Sequence, residues 1–233
     1  MHYFGGKFKI SKDLANVLNP ITKGKPFVDL FCGACNVVEK ITTASSRTAN
    51  DNNPYLIALL KAIQNGYEPP TRVTREQYNY VMGHLDENPA LSGFVGIGCS
   101  FSGGWHSGYA HNNRNHNYAM GARNTLLRQK PKLGGGVTFT SCDYDKLSIP
   151  IGAVVYCDPP YKGTTNKYYA RKFDYDKFIE WVEANKGKYD IYISEYKENF
   201  AQWPSNYEIV WEKESCQEMS KRKKTTEVLI HAR

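Results

Sequence analysis

The residues Asp158, Pro159, Pro160 and Tyr161 follow directly on an apolar run at 153–157. The β-branched and aromatic residues of this run favour a buried strand, whereas two consecutive prolines can continue neither a strand ladder nor a helix. The backbone must therefore turn sharply after Asp158, which holds an acid and an aromatic ring at the carboxyl end of a strand. Open α/β sheets bind their ligands at that edge. The sequence thus predicts a site built on Asp158 and Tyr161.

A site of this kind suits the transfer of a methyl group to an exocyclic amine. The lone pair of such an amine is delocalised into its ring or carbonyl, so its nitrogen is a poor nucleophile. The carboxylate of Asp158 and the backbone carbonyl of Pro159 can accept its two N–H groups and draw the nitrogen towards tetrahedral geometry. Tyr161 can stack on a flat base. The alternative is a turn that only ends a buried strand, because four-residue matches also arise by chance.

Composition bounds the class of protein. A chain of 233 residues with 41% hydrophobic residues can form one large domain, or a core with one insertion, without disulfide support. Its formal net charge of +7 suggests an anionic partner. No apolar run approaches the roughly 20 residues needed to span a bilayer, and residues 1–7 lack the apolar region of a signal peptide. We therefore expect a cytoplasmic monomer that contacts no membrane.

The cysteine and histidine patterns do not favour a metal site. Cys32 and Cys35 have the spacing of a redox or half-zinc motif, but no second cysteine pair lies at ligand spacing. His106, His111 and His116 lie in a segment rich in glycine and asparagine, without nearby cysteines or acids. Most cysteines lie in apolar stretches, as reduced thiols of the cytosol do. We expect neither a bound metal nor disulfides.

The order of predicted elements indicates an α/β fold. Strands are predicted at 27–31, 47–50, 137–141, 153–157 and 189–193. Helices are predicted at 37–44, 53–65, 74–86, 118–130 and 175–184. Two late strands at 208–212 and 226–231 are predicted to pair as an edge hairpin. The prediction is a Rossmann-like, mostly parallel sheet with an antiparallel edge hairpin, plus an inserted helical and loop segment.

The stretch from Asn88 to Cys142 contains no Asp or Glu, although it carries several Arg and Lys residues. Such one-sided charge favours contact with a polyanion. Asn and Arg side chains match the edges of adenine and guanine, and aromatic rings and glycines lie between them. We therefore predict DNA contacts, the alternative being a long ordered loop that covers the core. The candidate DNA-binding residues are Trp105, Tyr109, Asn112, Asn113, Arg114, Asn115, Asn117, Arg123 and Lys130.

A cofactor site is predicted after the first strand. Gly33 lies in a tight turn where backbone can approach a nucleotide-like ligand, and Asp51 ends the second strand about 20 residues later, where an acid can bind ribose hydroxyls. The same layout serves NAD. However, residues 31–35 have only one glycine and no cradle for a pyrophosphate. S-adenosylmethionine has no phosphates and needs no such cradle.

These motifs together resemble the Dam-type DNA adenine-N6 methyltransferases, over most of the chain. Tyr3 to Lys7 resembles the N-terminal cofactor motif, with Tyr3 where Trp is more usual, and Asp29 to Asn36 resembles the glycine motif. Asp51 resembles the ribose-binding acid and Asp143 the acid near the cofactor adenine. Residues 158–161 resemble the catalytic tetrapeptide, and residues 193–196 and 223–230 the closing strand motifs.

The resemblance implies a domain division and a set of site residues. Residues 1–65 and 136–233 form the catalytic domain, and residues 66–135 form the target-recognition insertion. The cofactor is S-adenosylmethionine and the partner is double-stranded DNA. The implied catalytic residues are Asp158, Pro159, Pro160 and Tyr161. The implied cofactor-binding residues are Tyr3, Gly6, Lys7, Asp29, Phe31, Gly33, Asn36, Asp51, Asp143 and Asp158.

The resemblance also implies that the target adenine is extruded from the duplex, because its amine is otherwise paired. Cytosine-N4 methylation remains an alternative, since it uses the same chemistry on another exocyclic amine. Methylation of RNA or of a protein glutamine, and a DNA-binding regulator with a decayed site, are further alternatives. Cytosine-C5 methylation needs an attacking cysteine, usually after proline, and the chain has no Pro-Cys pair.

Two features depart from the pattern or have two interpretations. Cys35 stands where the family usually has a second glycine, and a side chain there is expected to crowd the cofactor's methionine part. The basic run at 221–224 is either a solvated hairpin turn or a phosphate contact.

Overall fold

In a computed structural model of the chain, residues 1–112, 116–162, 173–216 and 224–233 are described. Seven strands form one sheet in the order β3-β2-β1-β4-β5-β7-β6. The strands are β1 (Pro26–Asp29), β2 (Ser46–Asn50), β3 (Val137–Thr140), β4 (Val154–Cys157), β5 (Asp190–Tyr196), β6 (Glu208–Cys216) and β7 (Lys224–Ala232). The helices are α1 (Ser11–Thr22), α2 (Pro54–Gln64), α3 (Arg75–Gly83), α4 (Pro89–Gly93), α5 (Tyr118–Leu133) and α6 (Tyr175–Asn185).

The sheet confirms the predicted arrangement of a parallel body and an antiparallel hairpin. Strands β3, β2, β1, β4 and β5 pair in parallel, and β7 pairs antiparallel with both β5 and β6. Strand β7 therefore lies inside the sheet and β6 forms the edge. This register places Glu227 beside Tyr196, at the carboxyl end of β5.

Helix starts follow the capping signals of the sequence. Asn53 accepts hydrogen bonds from the backbone N–H groups of Tyr55 and Leu56, and Pro54 occupies the first turn of α2. Thr74 and Gln77 form a capping box at the start of α3, as predicted.

The predicted helix at 37–44 is wrong, because the structure has only a 3₁₀ turn at Val38–Lys40. The segment holds five β-branched residues, which are poor helix formers. The side chain of Asn19, in α1, binds the backbone of this segment. It accepts a hydrogen bond from the Thr42 N–H and donates one to the Lys40 carbonyl. Helix α1 was not predicted, although Leu14 and Leu18 have helical spacing and are fully buried.

The sheet separates two hydrophobic clusters, because successive side chains of each strand point to opposite faces. Phe27 and Val154 belong to the cluster that contains α1, α2 and α5, whereas Val28 and Val155 belong to the cluster that contains α6. The first cluster also includes buried residues from the stretch 66–135, namely Val73, Tyr78, Met82, Phe94, Val95, Ile97, Cys99, Ala119, Ala122, Leu126 and Leu133. Residues 66–135, which include most of the acid-free stretch, and the sheet therefore share one core.

Candidate active site

The N-terminal segment packs against the turn that follows β1. A Cβ atom on Gly33 would lie 2.8 Å from the ring of Tyr3, and one on Gly6 would lie 3.2 Å from the side-chain amide of Asn36. Four candidate cofactor residues that are far apart in sequence are thus brought together. The close packing leaves no room for a side chain at Gly33, whose φ of +45° also favours glycine.

Cys35 occupies a position where glycine would be the easier residue. Its φ is +58°, in the left-handed region, and its N–H donates to the Cys32 carbonyl at 2.7 Å. A non-glycine residue in this conformation costs roughly 1–2 kcal/mol. The Cys35 side chain is fully buried in the hydrophobic cluster beside α1. The left-handed backbone conformation at position 35 therefore explains why a glycine would be favoured there.

Asp51 links the turn after β1 to the end of β2. Its carboxylate accepts the Gly33 N–H at 3.1 Å and the Asn53 N–H at 2.9 Å. Burial raises the pKa of Asp51, while these two backbone bonds lower it. A carboxylate oxygen can accept more than one hydrogen bond, so Asp51 retains capacity for ligand hydroxyls.

Aromatic side chains that follow β1 and β3 pack against each other. Asp143 is exposed at the end of β3, and the next residue, Tyr144, packs against Phe31 with ring centroids 5.6 Å apart. The buried hydroxyl of Tyr144 has no hydrogen-bond partner among the described residues. A flat, polar ring system fits against these rings, since an unpaired buried hydroxyl is unfavourable. Tyr144 was not predicted as a site residue, although it adjoins a predicted acid.

Asp29 lies at the end of β1. The charges of both Asp51, of the predicted cofactor site, and Asp158, of the predicted catalytic site, act on its carboxyl group. Its carboxylate accepts the Phe31 N–H at 3.2 Å, and it is almost fully buried. Burial raises the pKa of Asp29 well above its usual value, and repulsion from Asp158 adds to this effect.

Lys7 and Asp158 form an ion pair at the end of β4. The Lys7 ammonium lies 2.8 Å from Asp158 Oδ1 and 3.8 Å from Glu227 Oε2. It also lies 4.4 Å from the centroid of the Tyr161 ring, within range of a cation–π interaction. The Tyr161 hydroxyl donates to Glu227 at 3.3 Å, and its ring meets that of Tyr196 edge to face. Lys7, predicted as a cofactor contact, is thus placed against the predicted catalytic residues.

Burial dominates the electrostatics of Asp158. It raises the pKa of this carboxyl to about 6, although the charge and hydrogen bond of Lys7 lower it. Burial alone would lower the pKa of Lys7, but Asp158 and Glu227 outweigh that effect and raise it. The ammonium 2.8 Å from Asp158 Oδ1 favours the ionised form of the carboxyl, in which Asp158 accepts hydrogen bonds.

The turn of the tetrapeptide is fixed by α6. The Tyr175 hydroxyl donates a hydrogen bond to the Pro160 carbonyl. Pro159 is buried behind Asp158. Because proline restricts φ, the acid and the aromatic ring are held in a fixed relation.

Two acids of the site, the half-buried Glu227 and the buried Glu195, were given no role from the sequence. Glu227 lies on β7, and Glu195 on β5 is 1% exposed. Glu195 accepts hydrogen bonds from the Tyr196 and Lys162 N–H groups and from the Asn199 side chain. A Glu in a buried strand normally has a hydrogen-bond or charge partner. The presence of Glu195 and Glu227 within apolar strand sequences was therefore the signal that could have marked them as site residues.

Several candidate DNA-binding residues attach the acid-free stretch to α2 and to residues 71–73. The ring of Trp105 stacks on Tyr55 at 5.4 Å, and the Tyr109 hydroxyl donates to the Val73 carbonyl at 2.9 Å. Asn117 caps α5 by accepting the Met120 N–H, and its amide donates to the Thr71 carbonyl. These contacts position the stretch.

The remaining candidates differ in their surroundings. Arg123 pairs with Glu68 and donates to the Pro69 carbonyl. Asn112 donates to the Tyr118 hydroxyl, and the Lys130 ammonium lies near Gly66, since a Cβ there would be 3.8 Å from it. Asn113, Arg114 and Asn115 lie outside the described residues, as do residues 221–223 of the basic run.

Within the described ranges, no cluster of three or more His, Cys, Asp or Glu side chains could hold a metal ion. None of the helices in those ranges is long and apolar enough to cross a membrane.

If Asp51 binds the S-adenosylmethionine that the sequence resemblance implies, replacing it with asparagine is expected to weaken that binding by about 10-fold or more, because a hydrogen bond to a charged group contributes about 1.5–3 kcal/mol. Calorimetric titration of the purified protein with S-adenosylmethionine measures the Kd. Asp176→Asn, an equivalent change on the exposed face of α6, is the control and should leave the Kd unchanged. An unchanged Kd for Asp51→Asn would remove Asp51 from the cofactor site.

The candidate site residues of this α/β fold lie at or just after the carboxyl ends of β1, β2 and β4. A family model described as D12 class N6 adenine-specific DNA methyltransferase matches residues 3–93 and 102–222. The chain belongs to this family and is a DNA methyltransferase acting on adenine N6, which confirms the resemblance to Dam-type enzymes.

Solved structures of other methyltransferases are similar over most of the chain. Among the solved structures, 96 chains match. One is the 23S rRNA methyltransferase ErmE, which is 9% identical to this chain. The match covers 97% of this chain and 68% of ErmE, with a TM-score of 0.45. The rRNA methyltransferase aviRa from Streptomyces viridochromogenes is 10% identical, with 95% and 82% covered and a TM-score of 0.41. None of the curated protein sequences compared matches the chain. The assignment to the family rests on the family model.

Proposed function

We propose that this enzyme uses S-adenosylmethionine to methylate N6 of an adenine that is extruded from double-stranded DNA, with Asp158 as the acceptor for the amine. The observation that carries the proposal is the placement of Asp158, an ionised carboxylate next to an aromatic face, at the carboxyl end of the central strand β4. An amine in a stacked, paired base is out of reach of such a pocket, so the base must leave the duplex.

The residues present fit S-adenosylmethionine. Asp51 would bind the ribose hydroxyls, and Tyr144 and Phe31 would face the adenine ring beside Asp143. The Gly33 turn and the segment with Tyr3 and Gly6 would approach the methionine part, together with Asp29 and Asn36. When bound, S-adenosylmethionine supplies an electrophilic methyl group on a sulfonium sulfur.

The protein's own groups act on the adenine. Tyr161 offers its ring face to the base, and Asp158 and the Pro159 carbonyl accept the two N–H groups of the amine. This arrangement localises the nitrogen lone pair towards the methyl group, so the rate gain comes from positioning and electrostatics. The nitrogen gains a carbon bond and must lose a proton, and Asp158, with a pKa of about 6, is the acceptor beside it.

We place target recognition in residues 66–135, with the catalytic domain formed by 1–65 and 136–233. The absence of Asp and Glu from 89–141 supports contact with phosphates. Trp105, Tyr109 and Asn117 then act by shaping the surface, and we assign base and phosphate contacts to Asn112, Asn113, Arg114 and Asn115 from their residue types. We place the enzyme in the cytoplasm of a bacterial or phage-infected cell, as a monomer.

The test is transfer of labelled methyl from S-adenosylmethionine to mixed-sequence duplex DNA, followed by nucleoside mass analysis and mapping of the modified sites. N6-methyladenine is the expected product, and the map gives the recognition sequence. N4-methylcytosine would keep the mechanism but change the base. Cofactor binding without label in any DNA would overturn the proposal and favour RNA or a protein amide.

Replacing Arg114 with alanine is expected to weaken duplex binding and to reduce the slope of log K against log salt by about one, since one phosphate contact is lost. The measurement is the Kd at several salt concentrations. Arg233→Ala is the control, because Arg233 lies outside residues 66–135 and pairs with Glu208 of the edge strand β6. An equal salt slope in both variants would contradict the phosphate contact.

A further inference from the structure

The Lys7 ammonium lies where the amino group of the target base must lie. It donates to Asp158 at 2.8 Å and lies 4.4 Å from the Tyr161 ring centroid. Under the proposed function, the amine of the adenine uses the same acceptor, and the base uses the same ring face. The ammonium and the amine then compete for Asp158 Oδ1 and for the space over the Tyr161 ring, and Lys7 moves when the base takes that space.

Glu227 is placed to receive the ammonium. Its Oε2 lies 3.8 Å from Lys7 Nζ, compared with 2.8 Å for Asp158, a difference of 1.0 Å. A shift of about 1 Å would therefore convert the Glu227 contact into a full hydrogen bond. Lys7 is 8% exposed and its pKa is raised, so it remains charged and needs a carboxylate wherever it lies.

Glu227 also touches the stacking residue. The Tyr161 hydroxyl donates to the same oxygen, Oε2, at 3.3 Å. A single carboxylate thus contacts both groups that would meet the base, the lysine that leaves and the tyrosine that stays. Its place is set by the fold, because β7 lies beside β5 with Glu227 opposite Tyr196.

We propose that Lys7 holds the place of the substrate amine at Asp158 and passes to Glu227 when the target base enters, which makes Glu227 a positioning residue for base capture. This inference rests on the proposed function. In this exchange the negative charge of Asp158 is never left buried and unpaired, because it has either the ammonium or the amine as its hydrogen-bond donor.

The test uses Glu227→Gln, which keeps the size of the side chain and an acceptor for Tyr161 but removes the charge that attracts Lys7. The probe is a duplex with 2-aminopurine directly beside the adenine mapped by the methylation experiment, so that the target keeps its N6 amine and the fluorescence rises when the target leaves the stack. We expect the fluorescence gain on binding to fall at least about fivefold, with an unchanged Kd for S-adenosylmethionine. Glu212→Gln, the same change at an exposed acid of β6 paired with Lys197, is the matched control.

A second variant separates exchange from a purely structural role. Lys7→Met removes the group that competes with the base, so the fluorescence gain should exceed that of the wild type. In the Lys7→Met background, Glu227→Gln should then have no further effect on the gain. A loss of equal size in both backgrounds, or no loss in Glu227→Gln, would overturn the proposal.

The pH profile of single-turnover methylation adds an independent readout. The titratable groups facing Asp158 are Lys7 of the N-terminal segment, Glu227 of β7, Asp29 of β1, Glu195 of β5, and Tyr156, Cys157 and Tyr161 of its own strand and loop. Glu227 raises the pKa of Asp158 and Lys7 lowers it. Glu227→Gln should therefore move the acidic limb of the profile, near pH 6, to lower pH. Lys7→Met should move the same limb to higher pH, by roughly one to three units. An unmoved limb in both variants would contradict the exchange.

Wild-type enzyme in the same assay distinguishes the two proposals. If wild-type protein methylates the mapped adenine and Glu227→Gln gives the full fluorescence gain, the exchange alone fails. If wild-type protein methylates no adenine, the proposed function fails first.

Discussion

Asp158→Ala is expected to lower the rate of methyl transfer by at least about 10²-fold, comparable to the loss of one preorganised hydrogen-bonding group in other active sites. The alanine removes the acceptor for the target amine and the nearest acceptor for its proton. Duplex affinity should change little, because we place the phosphate contacts in residues 66–135. The measurements are the single-turnover rate with labelled S-adenosylmethionine and the Kd for duplex DNA.

The control for Asp158→Ala is Asp176→Ala, an exposed acid on α6. Because alanine also leaves Lys7 with Glu227 as its remaining carboxylate, thermal unfolding of the variant must be measured alongside. A folded Asp158→Ala enzyme with a wild-type rate would remove Asp158 from the mechanism. Loss of DNA binding together with the rate would instead place Asp158 in DNA recognition.

Gly93→Ala is expected to lower the free energy of unfolding by about 3 kcal/mol or more, since overpacking between rigid elements costs typically 1–3 kcal/mol and occasionally more. A Cβ atom on Gly93 would lie 2.1 Å from the Tyr55 carbonyl oxygen and 3.0 Å from the Leu59 Cβ. Both neighbours belong to α2, so backbone of one helix must move away from backbone of another.

Thermal unfolding checks this result, with an expected decrease in Tm of roughly 6–12 °C for a chain of this size. Gly83→Ala is the matched control, because nothing lies within 4 Å of a Cβ there. It lies at the end of α3 and should be neutral or stabilising by up to about 1 kcal/mol. Equal Tm values for the two variants would contradict the close contact of α2 and α4.

The elements that could be predicted from sequence are those with a local signal. The apolar run before Asp158 formed β4, and the capping residues Asn53 and Thr74 begin their helices. The helix predicted at 37–44, after the strand and turn of a βαβ unit, is absent because the β-branched residues of this segment disfavour a helix. In each case the outcome depends on chemistry within a few residues.

The parts of the site that could not be predicted depend on contacts between distant parts of the chain. Glu227 reaches Tyr161 because β7 inserts between β5 and β6, and no pattern within β7 indicates that order. Lys7 was predicted to bind the cofactor, but its ion pair with Asp158 spans most of the chain. Arg123 was predicted to bind DNA from the lack of nearby acids, yet Glu68, which precedes the acid-free stretch, pairs with it.

The shared core has a consequence for engineering. Val73, Phe94 and Leu126 lie in residues 66–135, the proposed recognition segment, and pack in the same cluster as Phe27 of β1 and Leu56 of α2. A chimaera that exchanged residues 66–135 for those of a related enzyme would also exchange part of the support of the sheet. New sequence specificity is therefore better sought by changing outward-facing side chains on the existing scaffold, because each such change leaves the inward-facing set intact.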